Sequence, residues 1–560
     1  MYNGFPMHPA CFLLRRLGLH GAGAAAIPVG AAGHAARDPR RTGGPRPGTG
    51  GAVAAVVRVL ALSLALGSGL LSIGCADPTP PCIPSQVLDA GAGSAIGRAG
   101  VALLPAATRP GDSSLVPLVA GADAWAARLM LVEQAERSLD LQYYIFRPDA
   151  SGRALLAALR RAADRGVRVR LLLDDWGAKP DASTLRELAG HSRVEVRLYN
   201  PLAHSGSSLL SLLFDFERTQ RRMHNKLLVA DGRAAIVGGR NIGDEYFARD
   251  AGLAFSDLDL LAFGAVVQQC AEGFDRYWNE APVTVVDGRG GSPTAAPLAV
   301  GPGRDDASQV DGSAAAWRGF DARLRMGRLA GYHAPAQAVQ DQPLKADPTL
   351  GAAAGHLGHE IARVVGGVRS ELLLVSPYFV PGDGGVEQLR ALRRRGVRIV
   401  VVTNTLAATD VPAVHAAYAR YRRALLEAGV ELHELRVDAA PGQRPRTRVG
   451  SSRVSLHAKV MVVDRAQVFV GSMNIDPRSL YLNSENGVVV SSAALADDIA
   501  AGLERSLVDS AWQLTLGEGR LAWQGQRDGV KTTLHEDPDA GWWLRLQVAV
   551  LSWLPIEGLL

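Results

Sequence analysis

Apolar positions along the chain recur in two rhythms, and their order predicts a repeating strand, helix, strand unit. Leu139, Leu141, Tyr143 and Ile145 alternate with Asp140, Gln142 and Tyr144, the period of a strand. Ser151-Gly152 then opens a helix that sets Leu155, Leu156, Leu159, Ala162 and Ala163 on one face. Gly166 closes it, because glycine takes the left-handed conformation after a helix without a Cβ penalty. Val167 to Leu173 predicts a second strand, running into Asp174-Asp175. A helix between two strands carries the chain back to the starting edge, so the fold class is α/β with a parallel or mixed sheet. The same order returns roughly 230 residues later: Glu371 to Phe379 as a strand, a helix through Leu389 and Leu392, Gly396, and Val397 to Val402 as the next strand. The chain is read as a duplication of a whole domain.

At 560 residues the chain exceeds what one core usually holds, and 47% hydrophobic with 21% charged residues is an ordinary globular composition. The expected division is an N-terminal extension over residues 1–58, a signal or lipoprotein segment over 59–75 and a tether rich in Pro, Gly, Ala and Ser over 76–115. A first domain follows over 116–285, an insertion or linker over 286–355, a second domain over 356–515 and a C-terminal membrane-interface segment over 516–560. Arg58 precedes an apolar run that is short for a membrane span and ends at Cys75. That arrangement resembles a bacterial export signal with Cys75 as the lipid-accepting cysteine, although Ser72 stands where such signals usually carry leucine. A signal anchor, or a Cys75 to Cys82 disulfide, is the alternative. The location expected is the bacterial cell envelope, with the protein membrane-associated as an exported lipoprotein. Near the C-terminus Trp542, Trp543, Leu544, Leu546, Val550 and Trp553 suit a helix lying in a membrane interface, or one packed on the domain core.

Charge narrows the chemistry. The formal net charge of +5, from 60 basic and 55 acidic residues, is a small excess over a large surface, and no long basic run with interleaved aromatics marks a nucleic-acid partner. The four cysteines lack metal-type spacing. Of the 60 basic residues only Lys179, Lys226, Lys345, Lys459 and Lys531 are lysines, so a lysine inside a chemical pattern stands out. Two of them do so in matching segments. His224-Asn225-Lys226 leads through Leu227 to Ala230 into Asp231, and His457-Ala458-Lys459 leads through Val460 to Val463 into Asp464. Gly238-Gly239-Arg240-Asn241 and Gly471-Ser472-Met473-Asn474 then begin seven residues after each aspartate. His and Lys two apart on a strand share a face, and the Asp turns each chain into a second short strand that returns the Asn to the same place.

In-line attack on a phosphodiester needs a nucleophile, a proton donor opposite it and cations around the equatorial oxygens. Two such segments facing each other supply all three: one histidine forms a phosphohistidine, the other serves as acid and then base, and Lys226, Lys459, Asn241 and Asn474 bind phosphate oxygens. No metal or other cofactor is called for. Asp257 and Glu485, at matching places in Ser256-Asp257-Leu258-Asp259 and Ser484-Glu485-Asn486-Gly487, are expected to orient the histidines by accepting from their far ring nitrogens. Asp231 and Asp464 are grouped with the catalytic set as supports of the site, since aspartate in a hairpin is also ordinary turn chemistry. In the linker the distinctive string is Asp341-Gln342-Pro343-Leu344-Lys345.

The paired segments resemble the HxKxxxxD motifs of the phospholipase D superfamily, over roughly residues 116–515. Asn474 to Ser479, Asn483-Ser484-Glu485 and Gly238 to Phe247 look like its bacterial cardiolipin synthase branch, and the C-terminus resembles that of the C-type enzymes. The resemblance implies duplicated α/β/α domains with mixed sheets, packed as a pseudo-dimer around one active site. It also implies His224 as nucleophile and His457 as acid and base. The activity implied is phosphatidyl transfer giving cardiolipin, with phosphatidylglycerol or phosphatidylethanolamine as substrates and a membrane surface as partner; no accessory protein is assigned. Hydrolytic phospholipase D and phosphodiester nuclease use the same intermediate and are the alternatives.

Overall fold

The computed structural model describes residues 82–104, 109, 111–178, 182–201, 216–247, 253–288, 304–347, 356–437, 453–527 and 529–553. The export segment with Cys75, Lys179, and the chain beyond Trp553 lie outside them. Lobe 1 comprises α1 (Ala95–Leu103), β1 (Asp112–Leu118), α2 (Gly121–Gln134), β2 (Ser138–Tyr143), α3 (Ala150–Asp164), β3 (Arg168–Asp174), β4 (Val194–Tyr199), β5 (Lys226–Ala230), β6 (Ala234–Gly238), β7 (Leu253–Ser256), β8 (Asp259–Gly264), α4 (Ala265–Glu280) and β9 (Val283–Val285). Between the lobes run α5 (Arg304–Arg325) and β10 (Tyr332–Gln340). Lobe 2 comprises α6 (His356–Gly366), β11 (Glu371–Val375), α7 (Gly382–Arg394), β12 (Arg398–Asn404), α8 (Pro412–Ala419), β13 (Glu431–Leu435), β14 (Arg453–Leu456), β15 (Val460–Val463), β16 (Gln467–Gly471), β17 (Asn486–Ser491) and α9 (Ala493–Ser510). A meander β18 (Ala511–Gly517), β19 (Arg520–Arg527) and β20 (Val530–Leu534) follows, then α10 (Trp542–Ser552).

The local rules that predicted the repeat operate in both lobes. The Asp149 carboxylate caps α3 by accepting from Gly152 N at 3.0 Å, Leu155, Leu156, Leu159, Ala162 and Ala163 are buried, and Gly166 follows at φ +96°. In lobe 2 α7 buries Val386, Leu389 and Leu392, and Gly396 follows at φ +88°. Strands β2, β3 and β4 pair in parallel, as do β11, β12 and β13, and each trio is extended by the antiparallel pairs β5–β6 or β15–β16. Both sheets are therefore mixed.

The linker region does more than connect. β10 pairs with β1 through Asp112 to Leu115 and with β17 through Ala336 to Gln340, so the two sheets form one continuous hydrogen-bonded ladder. β7 and β14 add a two-stranded parallel ribbon between the lobes, with Ser256 opposite Leu456. One apolar core runs across this boundary, packing Leu227, Val229, Val237 and Phe274 of lobe 1 with Val400, Val460, Val470 and Val490 of lobe 2.

Two further expectations change. The tether is packed from residue 82 onward: Val87 N donates to Asp275 at 3.0 Å, and the buried Arg170 and Arg197 guanidiniums donate to the carbonyls of Ser85 and Ile83. The segment after residue 515 is first a sheet extension, β18 pairing with β13, and among its described residues α10 presents an apolar surface, with Trp542 74%, Trp543 57% and Trp553 87% exposed. Among the described residues no helix is long and apolar enough to cross a membrane.

Candidate active site

His224 and His457 stand immediately before their hairpins rather than within them, since β5 begins at Lys226 and β15 at Val460. Their backbones are held by the opposite lobe instead: His224 N donates to Ser484 O and His457 N to Ser256 O, each at 2.8 Å. The strand ends β3 and β12 fix the preceding residue. Asp174 Oδ2 accepts from Met223 N at 2.9 Å, and Asn404 pairs with both backbone groups of Leu456. These two residues carried no signal in the sequence beyond following a predicted strand.

The histidine-orienting carboxylates are crossed between lobes. Glu485 Oε2 lies 2.8 Å from His224 Nδ1, and Asp257 Oδ2 lies 2.6 Å from His457 Nδ1. A carboxylate that accepts from Nδ1–H leaves the Nε2 lone pair of each ring directed into the site. Both rings are 5% exposed. Tyr144 packs edge-on against His224 with ring centres 5.1 Å apart, and Tyr246 does the same to His457 at 5.2 Å. Gly239 makes room for Asp257, since a Cβ there would lie 2.1 Å from Asp257 Oδ1. Lobe 2 has Ser472 at that place, and its hydroxyl donates to Glu485 Oε2.

Lys226 and Lys459 are buried beside their histidines, each ammonium bonded to the carbonyl of the histidine two residues earlier. The two asparagines differ. Asn474 Oδ1 is buried without a hydrogen-bond partner. Asn241 is spent on scaffold, accepting from Ile145 N at 3.0 Å and donating to Tyr246 Oη at 3.0 Å, which corrects its expected role on phosphate. Asp231 and Asp464 lie apart from the reacting groups: each sits at the far end of its strand from the histidine. Asp231 gathers the N–H groups of Glu136, Arg137 and Ser138, and Asp464 those of Arg369, Ser370 and Glu371. Both hold φ near +50° at the hairpin turn.

The electrostatics describe a site short of negative charge. Burial, then Lys226 and Lys459, hold His224 well below the ordinary imidazole range. Burial and Lys459 bring His457 down to about 3 despite Asp257. Burial also lowers Lys226 well below its usual range and takes Lys459 to about 8. Asp257 is held low: burial opposes ionisation, but the neighbouring His457, Lys459 and Arg240 outweigh it. Glu485, where burial outweighs Lys226, is pushed up to about 7. An anion bound beside these groups would offset the lysine charges and raise the histidines and lysines towards their protonated forms.

The family of the cardiolipin synthase PLD-like domain matches residues 129–278 and 364–507, one match for each lobe. The chain is 40% identical to cardiolipin synthase C of Escherichia coli K12 over 484 residues, 83% of this chain and the whole of that protein. It belongs to the phospholipase D superfamily. Among other superfamily members, cardiolipin synthase A of Pseudomonas aeruginosa is 26% identical over 394 residues, 70% of this chain and 66% of that one. The crystal structure of phosphatidylserine synthase from Haemophilus influenzae shares the phospholipase D fold, with a TM-score of 0.53 and 13% identity over 83% of this chain and all of that chain.

Proposed function

We propose that this protein is a phospholipase D-type phosphatidyltransferase that makes cardiolipin through a phosphohistidine on His224. The observation that carries the reading is the pair of histidine–carboxylate dyads crossed between the lobes, with two buried lysines that each act on both histidines. His224 Nε2 attacks phosphorus, the bond to the leaving alcohol breaks, and His457 gives that oxygen a proton. Lys226, Lys459 and the Asn474 amide hold the equatorial oxygens. His457 then takes the proton of a second lipid's hydroxyl, whose oxygen attacks phosphorus and releases His224. The ionised Asp257 supports the cationic form of His457, while burial, Lys226 and Lys459 keep His224 neutral, which favours His224 as the nucleophile and His457 as the acid and base.

Phosphatidylglycerol or phosphatidylethanolamine gives the phosphatidyl group, and phosphatidylglycerol, whose headgroup carries a free glycerol hydroxyl, accepts it. α10 lies against α8, whose Tyr418 ring is 6.3 Å from Phe379, and Phe379 bridges to Ile475 beside Asn474. α10 is thus joined through α8 to the Asn474 loop, and its exposed tryptophans suit docking on a lipid surface. Attachment of the exported chain at Cys75 belongs to the same reading.

The full chain in detergent is given phosphatidylglycerol, alone and with phosphatidylethanolamine, and the products are identified by mass spectrometry beside His224→Ala. Cardiolipin from the parent alone is the expected result. Phosphatidic acid as the sole product would make the protein a hydrolase, and no turnover of either lipid would overturn the reading.

A further inference from the structure

The lobes brace their orienting carboxylates by different means. In lobe 1 Arg240 Nη2 donates to the Asp257 carbonyl at 2.7 Å, Arg240 N bonds Asp259 at 3.1 Å, and Arg128 pairs with Asp259 at 3.0 Å. Met473 and Gly487 occupy the equivalent places of lobe 2, where β16 and β17 pair as β6 and β8 do, so that brace is missing. Its replacement comes from between the lobes. Asp341, which follows β10, donates its N–H to the Glu485 carbonyl and accepts the Glu485 N–H on Oδ2, both at 3.0 Å, closing a ring around the Glu485 backbone. Lys345 Nζ lies 2.8 Å from that same Oδ2 and donates to the Ser479 carbonyl at 2.9 Å. Ser479 Oγ accepts the Asn474 N–H at 3.2 Å. Asp341 and Lys345 are each 1% exposed. A buried ion pair is a poor source of net stability, because desolvation offsets its attraction, but it fixes positions.

We propose that Asp341 and Lys345 are positioning residues for His224, holding Glu485 Oε2 on His224 Nδ1 and tying that carboxylate to the Asn474 loop from the segment between the lobes. For turnover this rests on the phosphohistidine reading; the His224–Glu485 geometry does not depend on substrate. Glu485 faces His224 and Lys226 from lobe 1, Asp341 and Lys345 from the inter-lobe segment, and Lys459 and Asp476 from its own lobe. Lys345 is one of the cations favouring ionised Glu485. Without it the carboxyl keeps its proton to higher pH and donates to Nδ1, which moves the ring proton to Nε2 and removes the attacking lone pair.

The test is Asp341→Asn/Lys345→Met, which removes both charges at nearly constant volume, beside Lys345→Met and a comparison variant, Asp537→Asn, in the Arg422 ion pair of lobe 2. The first readout is the downfield Nδ1–H proton resonance of His224, identified by its loss in His224→Asn and followed against pH without substrate. The second is the pH profile of turnover on phosphatidylglycerol. In Lys345→Met, which leaves Asp341 beside Glu485, the resonance should be lost, and the acid limb of kcat should rise, about one pH unit above the parent; the paired variant, whose two lost charges oppose each other, should shift the same way by less. The rate of Lys345→Met should then fall about tenfold on the acid side and less than about twofold near pH 9, with KM unchanged. Asp537→Asn should lower the melting temperature and move neither. A folded Lys345→Met variant with both readouts at parental positions overturns the proposal. If the parent turns over no lipid, the resonance alone decides it, so failure of the lipid reading is seen separately.

Discussion

Replacing Asp257 by asparagine should cripple proton transfer by His457 while leaving attack by His224 nearly intact. Asp257 Oδ2 sits 2.6 Å from His457 Nδ1 with both groups buried, so this carboxylate is what makes an imidazolium tolerable there. Asparagine keeps an acceptor oxygen and the shape but removes the charge. Two unit charges about 4 Å apart at an effective dielectric near 20 interact by about 4 kcal/mol. Allowing for the hydrogen bond the amide retains, a loss of about 3 kcal/mol remains, or about 10²-fold in a step where His457 gives or takes a proton. A phosphatidyl ester of p-nitrophenol separates the steps, because p-nitrophenolate leaves without a proton and appears as a burst when His224 is phosphorylated. Asp257→Asn should give a near-parental burst rate, slow steady-state release, and about 10²-fold slower turnover of phosphatidylglycerol. Glu485→Gln should lose the burst itself. The reverse pattern would refute His224 as nucleophile, and equal loss of both phases in both variants would refute separate roles.

Glu485→Gln should also stabilise the protein at alkaline pH. With Glu485 raised from 4.5 to about 7 by burial, the folded chain holds a proton between those values that the unfolded chain releases. Stability therefore falls as pH rises through that window, and above it the ionised carboxylate costs up to about 3 kcal/mol. Melting curves of parent and variant should converge near the bottom of the window and separate above it. Asp231→Ala strips the acceptor from three backbone N–H groups and should cost about 2–3 kcal/mol in urea denaturation, more than Asp464→Ala, because Asp231 is buried and Asp464 only half-buried. Gly239→Ala should drive Asp257 off His457 and reproduce the kinetics of Asp257→Asn without lowering the burst, since the added Cβ falls on the carboxylate. Replacing Trp542, Trp543 and Trp553 by serine should weaken binding to phosphatidylglycerol vesicles about tenfold or more, while turnover of a soluble short-chain lipid is retained; unchanged vesicle flotation would remove α10 from the docking surface.

The duplicated unit and the four histidine and lysine positions were legible because they rest on local rules: strand alternation, a helix closed by glycine, and a turn aspartate with positive φ. Crossing of the carboxylates was not, since matching places in two repeats say nothing of which lobe each side chain faces. Asn241 and Asn474 share an offset yet part company five residues on, where lobe 1 has Tyr246 to take the amide and lobe 2 has Ser479, which bonds the Asn474 backbone instead. β10 was hidden because its inward positions Ala334, Ala336 and Ala338 carry little hydrophobic signal. Residues 82–90 read as a tether because they are held largely by backbone groups and by Arg170 and Arg197, a kind of packing that no apolar pattern records.

The ladder through β1, β10 and β17 makes the two halves a fixed jaw. Hydrogen-bonded strands cannot swing apart as hinged domains do, so the doorway to the histidines is not shut by a swing of one lobe on the other. The first alcohol has to leave before the second arrives, and during that interval the phosphorylated histidine is open to whichever hydroxyl is most abundant at the opening. Whether water or lipid wins is then a matter of where the doorway is pressed: against a bilayer the queue is made of lipids.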